Sequence, residues 1–207
     1  MIKETGYIPG EGMISPARDI FYLNIPKNAS TYLSNILLAN NWEHWNIITD
    51  PTTVQHSIAF IRDPLDRWTS GFSTYVALHI LGNGYGSDHF VKDYNESTER
   101  LIFDQIIFDD HTDLQYNFIN QIASSSPVYF RYNKHLVEQI NSLTEYNLNT
   151  NVIVDSNQTD SNYDTQNISK FIKNILNEKP DLKAKVIRAY KDDYDFIKNT
   201  EFYHEPR

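Results

Sequence analysis

Two short apolar runs, Ile20–Ile25 and His56–Ile61, each break abruptly into a segment whose apolar residues repeat at helical rather than strand spacing. After Pro26 the period changes. From Ser30, Leu33, Ile36 and Leu37 line one helical face that runs to the stop signal Asn40-Asn41. After Ile61 comes Asp63-Pro64, an acceptor suited to a helix cap followed by a residue suited to the first helical turn. Leu65, Trp68, Phe72 and Val76 form the apolar stripe of a helix predicted to reach about Leu81, with Arg67, Ser70 and Thr74 on a separate polar stripe. Strands that pass straight into helices, twice in succession, require crossover connections. The expected fold is therefore α/β, a layered domain with a central, mostly parallel sheet flanked by helices.

The rest of the chain fits that frame. Asn46–Thr49, Val128–Tyr132 and Val152–Val154 are expected as strands. Thr98–Phe108, Leu114–Ile122, Leu136–Leu143, Thr165–Asn177 and Leu182–Lys198 are expected as helices, which makes the C-terminal part helical. Gly82–Asn95 and Asp155–Asp164 are rich in Gly, Asn, Asp and Ser and are expected as loops, the first long enough to serve as a mobile acceptor-side loop. With no internal repeat, residues 1–207 are expected to form a single domain.

Composition narrows the function. Forty per cent hydrophobic and 14% aromatic residues are ample for a packed core, and no apolar run approaches the roughly 20 residues needed to span a bilayer. There is no cysteine, which removes disulfides, thiolate nucleophiles and Cys-based zinc sites. Met1–Gly12 has no apolar core of the secretory kind, so the expected compartment is cytoplasmic. Acidic residues outnumber Lys and Arg 27 to 18, a formal charge of −9, which argues against a nucleic-acid partner. Any anion site must be built locally, from a few basic residues and backbone amides.

Two segments have that character. In Ile25-Pro26-Lys27-Asn28-Ala29-Ser30-Thr31 a strand turns into a helix through small and hydroxylated residues. The first amides of a helix lack internal partners, and its dipole favours an anion there. Ala29 keeps bulk away, Ser30 and Thr31 can donate hydroxyl hydrogen bonds, and Lys27 adds charge. The loop has no glycine and its lysine precedes the hydroxyls by three residues, so it is not the G-x-x-x-x-G-K-[ST] motif. The plainer reading is an ordinary Ser30 N-cap beside a surface lysine. In the second segment, Arg62-Asp63-Pro64-Leu65-Asp66-Arg67-Trp68-Thr69-Ser70, an arginine ends a strand and a serine lies two turns into the next helix. In a parallel sheet both segments open on the carboxyl edge, where ligands bind. The plainer reading pairs the arginine with Asp63 or Asp66 and leaves Ser70 in solvent.

Taken together, the two segments resemble the sulfotransferase family that uses 3′-phosphoadenosine 5′-phosphosulfate (PAPS), most closely its carbohydrate branch. Pro26, Lys27, Asn28, Ala29, Ser30 and Thr31 match its 5′-phosphosulfate loop P-K-x-[AG]-[ST]-[ST]. Arg62, Asp63, Pro64, Arg67 and Ser70 match its 3′-phosphate pattern R-[DN]-P-x-x-R-x-x-S. The resemblance is strong over Ile20–Phe72 and thins to weak echoes at Asp110–Gln115, Tyr129–Tyr132 and Tyr190–Phe196. It implies a P-loop-like α/β fold, PAPS as sulfuryl donor, PAP (3′,5′-bisphosphoadenosine) as product, and no metal. It also implies that Lys27 stabilises the leaving phosphate, that Ser30, Thr31 and the loop amides hold the 5′-phosphate, and that Arg62 and Ser70 hold the 3′-phosphate.

Such a transfer needs a base for the acceptor hydroxyl. His111 ranks first, set among Asp109, Asp110 and Asp113 and followed by Gln115 in a His-x-x-x-Gln segment like that of carbohydrate sulfotransferases. Glu43 and then His44 follow, just after the first helix, while His56 belongs at the far end of its strand. The bland alternatives are a capping loop or fortuitous cation site at Asp110, His111 and Asp113, and simple packing for His44 between Trp42 and Trp45. The expected acceptor is a hydroxyl on a weakly charged glycan or small alcohol, because a charge of −9 suits a heavily sulfated polymer poorly. The competing functions are a non-catalytic nucleotide- or glycan-binding module and a nucleotide-dependent phosphotransferase.

Overall fold

A computed structural model describes residues 8–81, 86–122, 127–144, 146–150 and 165–203. In chain order these form β1 (Glu11–Ile14), β2 (Ile20–Leu23), α1 (Ser30–Ala39), β3 (Glu43–Asn46), β4 (His56–Ile61), α2 (Pro64–Tyr75) continued by a π-helical stretch (Val76–Leu81), α3 (Ser87–Asp93) and α4 (Glu96–Gln105). There follow α5 (Gln115–Ile119) with a 3-10 turn (Asn120–Ile122), β5 (Pro127–Arg131), α6 (Leu136–Leu143), α7 (Thr165–Glu178), α8 (Pro180–Ala189) and α9 (Lys191–Asn199). They group into two compact units. Among the described residues, 8–63, 115–150 and 196–203 make a sheet unit, and 64–114 and 165–195 make a helical unit.

The sheet unit is α/β. Its five strands run in the order β3-β1-β2-β4-β5, with β2, β4 and β5 mutually parallel and β1 antiparallel to both β2 and β3. The sheet is therefore mixed, with its parallel half on the side of β4 and β5. Alternation along the strands fills two cores. Ile20, Tyr22, Ile58 and Phe60 face α1 and α6 through Leu33, Ile36, Leu37, Leu136, Val137 and Ile140. Phe21, Leu23, Ile25, Ala59 and Ile61 face Phe118, Ile119 and Ile122 of α5 and the turn after it, together with Phe202. Near-continuous apolar strands are what a sheet covered on both faces requires.

The helical unit packs the Trp68, Phe72 and Val76 stripe of α2 against Ile168, Ile172 and Leu176 of α7 and Val186 and Tyr190 near the end of α8. Phe90 of α3 and Ile102 and Phe103 of α4 complete that core. Among the described residues, no helix is long and apolar enough to cross a membrane.

Several sequence expectations are corrected. The strand expected at Asn46–Thr49 lies at Glu43–Asn46, because the Asn46 carboxamide accepts hydrogen bonds from the Ile48 and Thr49 N–H groups (2.9 and 3.0 Å) and turns the chain there. The loop expected at Gly82–Asn95 contains α3, and its residues 82–85 lie outside the described set. The final helix is divided at Tyr190, which is fully buried. The strand expected at Val152–Val154 and the loop at Asp155–Asp164 lie outside the described residues. Strand β1 has no counterpart among the sequence expectations: four residues containing a glycine carry too little periodicity.

That glycine is required by close approach. A Cβ on Gly12 would lie 2.0 Å from the Tyr22 carbonyl oxygen and 2.6 Å from the Phe21 ring. We predict that Gly12→Ala destabilises the fold by about 2 kcal/mol or more, the cost of forcing an extra carbon into a packed site. Urea unfolding should show a lower midpoint at unchanged slope, and an unaltered midpoint would contradict the β1–β2 pairing.

Candidate anion-binding site

From the carboxyl end of β2 the chain runs through Asn24, Ile25 and Pro26 into the loop that starts α1. Two of its residues, Lys27 and Ala29, hold left-handed backbone (φ 69° and 62°), while Asn28 between them does not. The Asn28 N–H between them closes a turn onto the Ile25 carbonyl at 3.1 Å. Ala29 is the helix N-cap, and as an alanine it has no side chain to accept from the first turn. Ser30 is thus the first helical residue and not the cap. The first helical bond runs from Leu33 N–H to Ala29 O at 2.9 Å, so the N–H groups of Ser30, Thr31 and Tyr32 have no acceptor within the helix. No acidic residue lies in that first turn, which leaves the positive end of the helix dipole uncompensated by a carboxylate of its own helix.

Left-handed alanine and lysine are unfavourable by about 1–2 kcal/mol each, so something else must hold them. The buried amide of Asn28 does. Its Nδ2 donates to the Phe60 carbonyl (2.6 Å) on β4 and to Gln115 Oε1 (2.7 Å) at the start of α5. Gln115, itself buried, accepts from the Arg62 N–H (3.0 Å) and donates from Nε2 to the Arg62 carbonyl (2.9 Å). The Arg62 guanidinium returns to the loop, Nη1 donating to the Lys27 carbonyl at 2.9 Å, and lies over the Tyr132 ring at 5.0 Å. The structure therefore brings Lys27, Asn28, Ala29, Ser30, Thr31 and Arg62 together at one sheet edge. Pro26 is buried at the entry to the loop.

Glu43 and His44 are not brought there. Glu43 pairs with Ile14, which pairs with Phe21, so it sits two strands from β2 and level with a residue four positions before Ile25. Strand rise and spacing put that at about 16 Å from the loop. The Glu43 carboxylate meets Arg18 at 3.5 Å, and both Glu43 and His44 are exposed. Sequence proximity to α1 is misleading here, because the strand that carries these residues runs along the outer edge.

In the helical unit the stripe of Arg67, Ser70 and Thr74 proves to be largely buried. Arg67 is 0% exposed: its guanidinium donates to the Asp113 carbonyl and, at 3.3 Å, to the Asp110 carbonyl. An arginine sealed beneath a loop is a structural anchor, which corrects the expectation that it helps bind a phosphate. Asp66 pairs with Lys173 (2.7 Å). Thr74 is buried and donates to the Ser70 carbonyl, and Ser70 is half-buried.

The loop that Arg67 supports carries His111. Thr112 Oγ1 accepts from the Phe108 and Asp109 N–H groups (2.8 and 3.0 Å), Tyr190 donates its hydroxyl to the Thr112 carbonyl, and Gly71 packs so closely that a Cβ would lie 2.1 Å from the His111 carbonyl. His111 Nδ1 lies 3.3 Å from Asp109 Oδ2 and 3.2 Å from Asp110 Oδ1. The cluster of possible metal ligands is thus Asp109, Asp110 and His111, with ligand atoms within 4.8 Å of one another. Asp113, expected among them, instead accepts from the Leu114 N–H at 2.8 Å. Burial lowers the imidazole's proton affinity, but the hydrogen bonds and charges of Asp109 and Asp110 outweigh it and raise the net value above the ordinary one.

We predict that an NMR titration places His111 above the unperturbed value of about 6.5, and that Asp110→Asn lowers it. The folded state favours the protonated ring, so stability from this contact is complete below the ordinary histidine value and is lost as pH rises through the raised one. A wild-type midpoint at or below 6.5 would contradict the carboxylate pairing. Compared with known proteins, the chain matches no family model, no curated protein and no solved structure.

Proposed function

We propose that the chain is a PAPS-dependent sulfotransferase acting on an acceptor hydroxyl, with a P-loop-like donor site in its sheet unit. One observation carries this reading. Lys27 and Arg62, 35 residues apart and drawn from two separate sequence patterns, are joined by a hydrogen bond at one sheet edge. A local anion site in a chain of net charge −9 needs such an arrangement. The amides of Ser30, Thr31 and Tyr32 suit a 5′-phosphate, and the Arg62 guanidinium, bonded to the Lys27 carbonyl of the same loop, suits a second phosphate, bound bidentately.

In the proposed reaction the acceptor oxygen attacks sulfur in line, and a new S–O bond forms as the bond to the 5′-phosphate oxygen breaks. The hydroxyl proton passes to the base, and PAP leaves. Lys27 and the loop amides would stabilise the charge that grows on the leaving phosphate, a contribution of about 10² to 10³ in rate for one well-placed donor. For the base, the sequence ranks His111 ahead of Glu43 and His44, and its resemblance to the family implies a second 3′-phosphate contact at Ser70. Arg67, being buried, has no ligand role. The acceptor is a neutral or weakly charged glycan or a small alcohol. A non-catalytic binding module would bind PAP and show no turnover over a broad acceptor panel. A phosphotransferase would accept ATP as donor.

We predict that PAP raises the melting temperature clearly more than ADP, which lacks the 3′-phosphate. Ligand at 100 times its dissociation constant contributes about 2.7 kcal/mol. Equal shifts with ADP and PAP would remove the dedicated 3′-phosphate site from the account.

Lys27→Ala should lower turnover more than PAP affinity, because leaving-group charge develops in the transition state, while Arg62→Ala should mainly weaken PAP binding. Single-turnover kinetics at saturating PAPS separate the two. Wild-type turnover in both variants would contradict the division of roles.

A further inference from the structure

We infer that Gln115 is a positioning residue that sets the spacing between the two anion subsites of this edge, an inference that rests on the donor-site reading above. The two subsites belong to different segments, the Lys27–Thr31 loop after β2 and Arg62 after β4, and the β2–β4 pairing that aligns these segments ends at Tyr22 and Ile58, before either subsite. Gln115 contacts both. Its Oε1 accepts from Asn28 Nδ2 of the loop (2.7 Å) and from the Arg62 N–H (3.0 Å), and its Nε2 donates to the Arg62 carbonyl (2.9 Å). Both lone pairs of the carboxamide oxygen are thereby used, and the amide nitrogen donates as well.

No other common side chain reproduces this set. Glutamate of the same length keeps the two acceptor bonds but loses the donor toward the Arg62 carbonyl. Asparagine, one methylene shorter, cannot span from the Arg62 backbone to Asn28. Methionine matches the length and offers neither function. The amide is 1% exposed, as is Asn28, so neither bond is exchanged for water without opening the unit. Because Gln115 opens α5, whose Phe118 and Ile119 are buried in the core between helix and sheet, the packed helix fixes the clasp.

The consequence concerns ligands of two different lengths of reach. A bisphosphate such as PAP engages both subsites, and its second contact is effectively intramolecular, so its affinity depends on their spacing. ADP engages the loop alone, which in either variant keeps the Asn28 bond to the Phe60 carbonyl and so loses only one of its two supports. Loosening the clasp should therefore cost PAP affinity selectively.

The test measures PAP and ADP dissociation constants by calorimetry for wild type, Gln115→Met and Gln115→Asn. Wild type should favour PAP. In both variants PAP should weaken by about 10- to 100-fold, part of the roughly 10²- to 10⁴-fold that a linked second contact can supply, while ADP changes by less than about 3-fold. A purely structural role would weaken both ligands alike or leave both unchanged, and either result would overturn the inference with the donor-site reading intact. Should Gln115→Met not fold, Gln115→Asn, which keeps a polar amide, decides the matter alone. If wild type itself does not distinguish PAP from ADP, the donor-site reading falls and takes this inference with it.

Discussion

The sheet edge depends on one buried carboxamide. Lys27 and Ala29 adopt left-handed backbone that neither side chain favours, and they are held there because Asn28 between them donates two hydrogen bonds into the sheet unit. Each such bond contributes about 1 kcal/mol net, and each left-handed residue costs about 1–2, so the two effects are of one size. The Arg62 guanidinium adds a third bond to the loop, at the Lys27 carbonyl. The conformation is thus imposed by its surroundings and not by local preference. Strain of this kind, maintained by neighbours, is characteristic of functional loops.

From that constraint the rest of the edge follows. A rigid loop presents the first amides of α1 with no side-chain cap over them, and the parallel pairing of β2 with β4 delivers Arg62 to the same end of the sheet. The helical unit applies the same device to a different purpose. There a buried arginine, Arg67, and a buried tyrosine, Tyr190, hold the carbonyls of a tight loop and so fix His111 among its carboxylates. In both units a side chain of long reach orders a loop that has little regular structure of its own.

Much of the framework was legible in the sequence because apolar runs and helical stripes carry strong periodicity. Strands β2 and β4, helices α1, α2 and α6, and the loop between β2 and α1 all lie where the pattern places them. What failed has physical causes. Strand β1 is four residues long with a glycine chosen for close approach to Tyr22, and such a strand leaves no pattern. Periodicity separates the Arg67 stripe from the apolar one, but it cannot say that a loop more than 40 residues away covers it. Glu43 follows α1 in sequence, yet strand register carries it to the outer edge. Gln115 appeared only as the end of a weak motif around His111, since nothing local shows that its partners are Asn28 and Arg62.

If, as proposed, the loop after β2 and the residue after β4 form a single anion site, backbone amide NMR will show it. On titration with PAP, the N–H signals of Ser30, Thr31, Tyr32 and Arg62 should shift together and fit one dissociation constant. Shifts confined to residues elsewhere, with these four amides unmoved at saturation, would contradict the account.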